Sequence, residues 1–170
     1  MTHTDLDSIF SQHYANAKTL EFPAFIGNKS TCNPINSTPY ITSLSRFFAE
    51  PKDPKRRLLC ARLKAAIAEL AMADISVEII LIGGSFLDST VIPGDLDCVL
   101  FYSMNAETSV LDLQQWQRQM KAQDLDARLI PMDTHPLIMW KSALFFSVLY
   151  TQRKNGDGVP TGLILLDCKH

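Results

Sequence analysis

The sequence predicts an α/β (α+β) domain, a β-sheet with helices packed against it. Three observations carry this reading. A capped amphipathic helix precedes a β-branched run. Two further runs with strand alternation follow at short spacing. A helical pattern separates the second run from the third. The order helix, strand, strand, helix, strand in 170 residues leaves room for one core and little else.

The helix is expected over residues 54–73. Asp53 is the candidate N-cap and Pro54 occupies the first helical position, where its missing N–H costs little. Leu59, Leu63, Ala66, Ile67 and Leu70 recur at three- and four-residue spacing, which makes one buried stripe. Lys55, Arg56, Arg57, Arg62 and Lys64 decorate its first half, as a solvated face or as a basic edge toward phosphates.

The run 76–82, SVEIILI, reads as a buried strand and ends in Gly83-Gly84-Ser85. Pro93-Gly94 marks a turn, and DLDCVLFY from Asp95 reads as the second strand. Residues 111–122 suit a short helix with Leu113, Trp116 and Met120 on one face. DLDARLIPM, 124–132, is the third strand. The stretch 137–151 is expected as a helix, 152–162 as a loop and LILLD as a last strand. Residues 1–46, rich in Asn, Ser, Thr and Pro toward their end, are read as an irregular arm with a short helix near 5–17; residues 47–170 form the domain. Phe86, Phe101, Trp116 and Trp140 are expected to pack in the interior.

Bulk properties exclude several classes. The net charge of −2 gives no overall electrostatic footprint for nucleic acid. No run of about 18 apolar residues marks a membrane span, and the N-terminus lacks the apolar core of a signal peptide. Cys32, Cys60, Cys98 and Cys168 lack metal-ligand or C-x-x-C spacing. The expected location is the cytoplasm.

The chemistry concentrates in residues 83–97 and 124–128. Asp95 and Asp97 share one strand face, roughly 7 Å apart. Carboxylates on one face repel, and a hard divalent cation such as Mg²⁺ offsets that repulsion. Asp124 and Asp126 share a face of the third strand if it is regular, and Arg128 falls on that face too. Arg128 is either a salt-bridge partner or a triphosphate contact. The Gly83-Gly84-Ser85 turn after a strand lets a phosphate approach the backbone, with N–H groups and the Ser85 hydroxyl as donors. A phosphate cradle beside clustered carboxylates suits phosphoryl transfer. Arg153 and Lys154 lie in a Gly-containing loop, as a solvated turn or a substrate contact.

The spacing Ile82-Gly83-Gly84-Ser85, nine residues, Asp95-Leu96-Asp97-Cys98 resembles the nucleotidyltransferase signature of the DNA polymerase β superfamily. Leu125-Asp126-Ala127 resembles the motif of its third carboxylate, with Asp124 in reserve. The segments DPKRRLLCARL, GGSFLDSTVIPGDLD and FFSVLYTQRKNGDGVPTGLILL resemble a small bacterial and phage group of unknown function within it. The resemblance spans about residues 47–167. It implies a mixed β-sheet flanked by helices, polymerase β palm-like, in which Asp95, Asp97 and Asp126 hold one or two Mg²⁺ ions, with Mn²⁺ as substitute. Gly83, Gly84, Ser85 and Arg128 would meet a nucleoside triphosphate, and a nucleoside monophosphate would pass to a hydroxyl of RNA, protein or a small molecule. The chain lacks room for the helical domain many members carry, which implies a partner protein or a homodimer. The rival from another class is a non-catalytic nucleotidyltransferase-like module of binding or antitoxin type. A nucleotide-sugar glycosyltransferase is disfavoured, because too little chain precedes Asp95 to build its nucleotide-binding half.

Overall fold

The computed structural model describes residues 3–26, 34–104, 111–152 and 160–169. It is a mixed α+β structure built on one five-stranded sheet. Helix α1 (His3–Thr19) leads through a 3₁₀ turn to strand β1 (Tyr40–Ser43). Helices α2 (Leu44–Ala49) and α3 (Pro54–Met72) follow, then β2 (Ile75–Gly83), β3 (Leu96–Met104), α4 (Leu113–Lys121), β4 (Leu125–Pro131), α5 (Pro136–Thr151) and β5 (Ile164–Asp167).

The strands lie in the order β1-β5-β2-β3-β4. β3 and β4 pair in parallel, as do β1 and β5, while β2 is antiparallel to both its neighbours. Strand alternation sends odd and even positions to opposite faces. Ile80, Ile82, Cys98, Leu100, Leu125 and Ala127 join a core with Leu59, Leu63 and Leu70 of α3 and Trp116 of α4. Leu81, Val99, Phe101 and Ile130 form a second, smaller core with Tyr150 of α5. One face of the sheet is thus covered by several helices and the other by α5.

Helix α3 starts as its sequence dictates. The Asp53 carboxylate accepts the Arg56 N–H at 2.9 Å, satisfying one of the orphan donors of the first turn, and Pro54 opens the helix.

Three expectations change. The helix expected near 5–17 forms as α1, but the segment before residue 47 also supplies a strand: β1 pairs with β5 over Tyr40–Ser43, and Tyr14 and Ala17 of α1 are buried in the main core. Asp124 is not part of a regular third strand. It sits just before β4 with φ of 61°, the left-handed residue that turns the chain out of α4. Trp140, expected in the interior, is 59% exposed, because α5 is apolar on two sides and only one can face the sheet. Phe86, Phe101 and Trp116 are buried as expected. Arg153 and Lys154 lie outside the described residues. Among the described residues no helix is long and apolar enough to cross a membrane.

Candidate functional site

The register aligns the sequence motifs in one row across the sheet. Gly83 of β2 is opposite Asp97 of β3, and Asp97 is opposite Asp126 of β4. Neighbouring strands lie about 4.8 Å apart and register partners share a face. Asp97 has the strand parity of Val99, and Asp126 that of Ile130; both apolar residues belong to the core beneath α5. The two carboxylates therefore sit side by side on the α5 face.

They line a cleft of about 840 Å³. Gly84 and Ser85 form one wall, Val91, Ile92 and Asp95 the loop side, and Lys121, Asp124 and Asp126 the far side. Leu149, Tyr150 and Gln152 at the end of α5 close it, with Thr161.

The two glycines have different reasons. A Cβ on Gly83 would come within 2.5 Å of the Tyr150 Cβ and 2.7 Å of a Leu163 methyl, so Gly83 lets α5 settle on the sheet. Gly84 has φ of +68°, and a Cβ there would collide with the Asp97 carboxylate. The bare Cα of Gly84 is what leaves room for that carboxylate.

Asp126 is held by two cations. Lys121 Nζ lies 3.1 Å from one of its oxygens and Arg128 Nε 3.1 Å from the other. Arg128 is thus a salt-bridge partner on the shared face. Asp124 points its carboxylate to α3 instead, with Lys55 Nζ and Arg62 Nη1 each at 2.9 Å. The hydrogen bond from Lys55, then that from Arg62, holds its carboxyl below the usual range. Asp124 acts as a clasp between α3 and the start of β4, and Asp126 is the carboxylate in the row.

Arg56, read from sequence only as one of several basic residues, organises the loop that follows the glycines. Its Nε donates to the Phe86 carbonyl at 2.8 Å, and its Nη2 to Asp88 and Val91 carbonyls at 2.6 and 3.0 Å. Nη1 pairs with the Asp53 carboxylate at 3.1 Å. A planar guanidinium with five donors can serve that many acceptors at once. Tyr150 was also not singled out from sequence, although it continues the inner stripe of α5 through Met139, Ala143 and Phe146. Burial, then the nearby Cys98, Asp97 and Asp126, pushes its hydroxyl well above the usual range, with Arg128 opposing. Tyr150 therefore stays neutral beside the carboxylates.

The donor set fits a hard divalent cation in type and register. Mg²⁺ takes one or two carboxylates and completes its shell with water and phosphate oxygens, and Asp97 and Asp126 are register neighbours. The set is not closed into a triad: among the described residues no group of three or more His, Cys, Asp or Glu side chains is gathered to hold a metal. The Asp126 side chain is turned to Lys121 and Arg128.

Comparison with curated proteins and with solved structures returns no match. A family model described as "Family of unknown function (DUF6932)" matches residues 28–167, most of the chain including every strand, and the protein belongs to that family.

Proposed function

We propose that the cleft is a Mg²⁺-dependent nucleotidyltransferase site of the polymerase β-like type. The observation that supports it most is the Asp97–Asp126 pair of register neighbours, with Gly84 kept bare against the Asp97 carboxylate. The cleft volume of about 840 Å³ falls in the range of small-molecule sites.

In this reading Asp95 and Asp97 would hold the cation, together with Asp126 once its ion pairs are exchanged, and a bound cation would supply charge stabilisation at the transferred α-phosphoryl group. Lys121 and Arg128, released from Asp126, meet the phosphate oxygens of the triphosphate; Arg128 suits this by its fork geometry. Gly84 and Ser85 line the phosphate path, and Arg56 holds their loop in shape from behind. Ile92 and Leu149 offer apolar contact to the base. An acceptor hydroxyl oxygen forms the new bond to the α-phosphorus. The bond from that phosphorus to the β-bridging oxygen breaks, pyrophosphate leaves, and the hydroxyl proton passes to the Asp126 carboxylate.

The ion pairing of Asp126 favours a second reading, a non-catalytic module that binds nucleotide or a partner without transfer. One experiment separates the two. The protein is incubated with each α-labelled nucleoside triphosphate, Mg²⁺ and cell lysate, and the RNA, protein and small-molecule fractions are counted. Label retained in one fraction, and lost with Asp97→Asn, supports transfer. No labelled fraction with any of the four triphosphates contradicts it.

A further inference from the structure

Helix α5 carries two apolar stripes. Met139, Ala143, Phe146 and Tyr150 pack on the sheet. On the other side Leu137, Trp140, Leu144, Phe145, Val148 and Leu149 are between 45% and 72% exposed and line one open groove. With Lys141 among them, their spacing alternates between three residues and one, which is a continuous helical stripe. A helix apolar on all sides belongs in an interior, so the outer stripe calls for a cover.

We propose that the cover is a second copy of this chain, with the two α5 helices packed antiparallel about a two-fold axis near Leu144 and Phe145. Three features select this occupant. The first is area. Taking roughly 200 Å² per side chain, the middle of the aromatic range, the six exposed fractions leave at most roughly 700 Å² per protomer, close to the about 800 Å² per partner of a standard interface. The second is charge. Lys141 is the one charged residue of α5, and it lies within the outer stripe. Parallel packing would set it on its own copy. The antiparallel arrangement sets it across from Val148 of the partner subunit and separates the two ammonium groups by about 10 Å along the axis. The third is the pattern itself. A helix lying on a membrane surface carries a polar face rich in Lys and Arg, whereas α5 carries Lys141 alone.

The interface is continuous with the cleft, since Leu149 and Gln152 line both. The two-fold sets Leu137 of the partner subunit across from Gln152, so the second copy extends the cleft wall. Dimer formation itself does not rest on the nucleotidyltransferase reading, and its test uses no nucleotide.

Sedimentation equilibrium of the full chain at micromolar concentration should give twice the 19.0 kDa chain mass. Leu144→Asp, at an exposed position on the axis, should give the single-chain mass with an unchanged circular dichroism spectrum. The milder pair Leu144→Ala with Phe145→Ala should weaken association on the order of tenfold or more. Met72→Asp, at an exposed apolar residue of α3, should leave the dimer intact. A wild type that stays at single-chain mass overturns the proposal, and so does one that pellets with anionic vesicles as a monomer. A dimer indifferent to both changes on the stripe overturns it equally, since it would use another face.

Discussion

Replacing Gly84 with Ala tests the contact at the centre of the candidate site. Two costs arise. Ala in the left-handed region at φ of +68° costs about 1–2 kcal/mol. The new methyl also strikes the Asp97 side chain, whose atoms are the nearest ones to the Cβ position. The struck atom is the end of a flexible side chain that lines the cleft, so the carboxylate yields by turning off its rotamer, at about 0.5–1.5 kcal/mol, and the total is about 1.5–3.5 kcal/mol. In an Asp97→Ala background the carboxylate is gone. The Cβ of residue 97, at 3.5 Å, is then an ordinary contact, and only the backbone part of the cost remains. The coupling between the two sites should therefore be about 0.5–1.5 kcal/mol, in the lower part of the range for contacting residues. Urea unfolding of the four proteins reads it. With a denaturant slope of about 2 kcal/mol per molar, Gly84→Ala should shift the midpoint by about 0.3–0.8 M more with Asp97 present than without it. Costs equal in both backgrounds to within about 0.3 kcal/mol would refute the packing of Asp97 against Gly84.

Arg56→Met should lose about 2–3 kcal/mol, because charge-assisted bonds to the Phe86, Asp88 and Val91 carbonyls are each worth about 1.5–3 kcal/mol before water re-solvates the loop. Arg56→Lys should recover less than half of this, since one ammonium cannot span the same acceptors; a midpoint close to wild type for either variant contradicts the loop-holding role. Stability should also fall at acid pH. The carboxyls of Asp53, Glu78 and Asp124 are held below their ordinary values, first by hydrogen bonds from the Arg56 backbone N–H, Lys169 and Lys55 respectively. Groups depressed in the fold contribute stability that is complete above their unfolded values and lost as pH falls through the folded ones, so urea midpoints should decline below about pH 4 and a flat profile would contradict these pairings. At the other end, burial pushes Tyr14 and Tyr40 up to about 12. Neutral in the fold, they contribute stability that is lost as pH rises past their ordinary value near 10, so the midpoint should fall again there.

What was legible in the sequence was local. Asp53-Pro54 and the stripe through Leu59, Leu63 and Leu70 marked α3, and its cap forms as read. The alternation from Asp95 and from Asp124 marked β3 and β4, but that Asp97 and Asp126 share a face came with the pairing of the two strands. What failed was non-local. Tyr40–Ser43 is too short and too flanked by turn residues to read as a strand, and its partner lies more than 120 residues away in β5. Asp124 repeated the D-x-D pattern of Asp95 and Asp97, but its left-handed backbone and its Lys55 and Arg62 partners depend on where α3 lies. Arg56 looked like its basic neighbours because its acceptors are carbonyls, which no side-chain pattern marks. Trp140 read as interior because apolar content does not tell which of two stripes meets the sheet.

The central claim is that the Asp97–Asp126 row binds a metal-nucleotide complex. Isothermal titration of the protein with each nucleoside triphosphate, with Mg²⁺ and with the metal chelated, tests it most directly. The account predicts binding of at least one triphosphate that requires Mg²⁺. It also predicts that Asp97→Asn, in a chain that still melts cooperatively, weakens that binding by on the order of a hundredfold, because one charged ligand of the cation is lost. Triphosphate binding of equal strength with and without Mg²⁺, or binding untouched by Asp97→Asn, would contradict it.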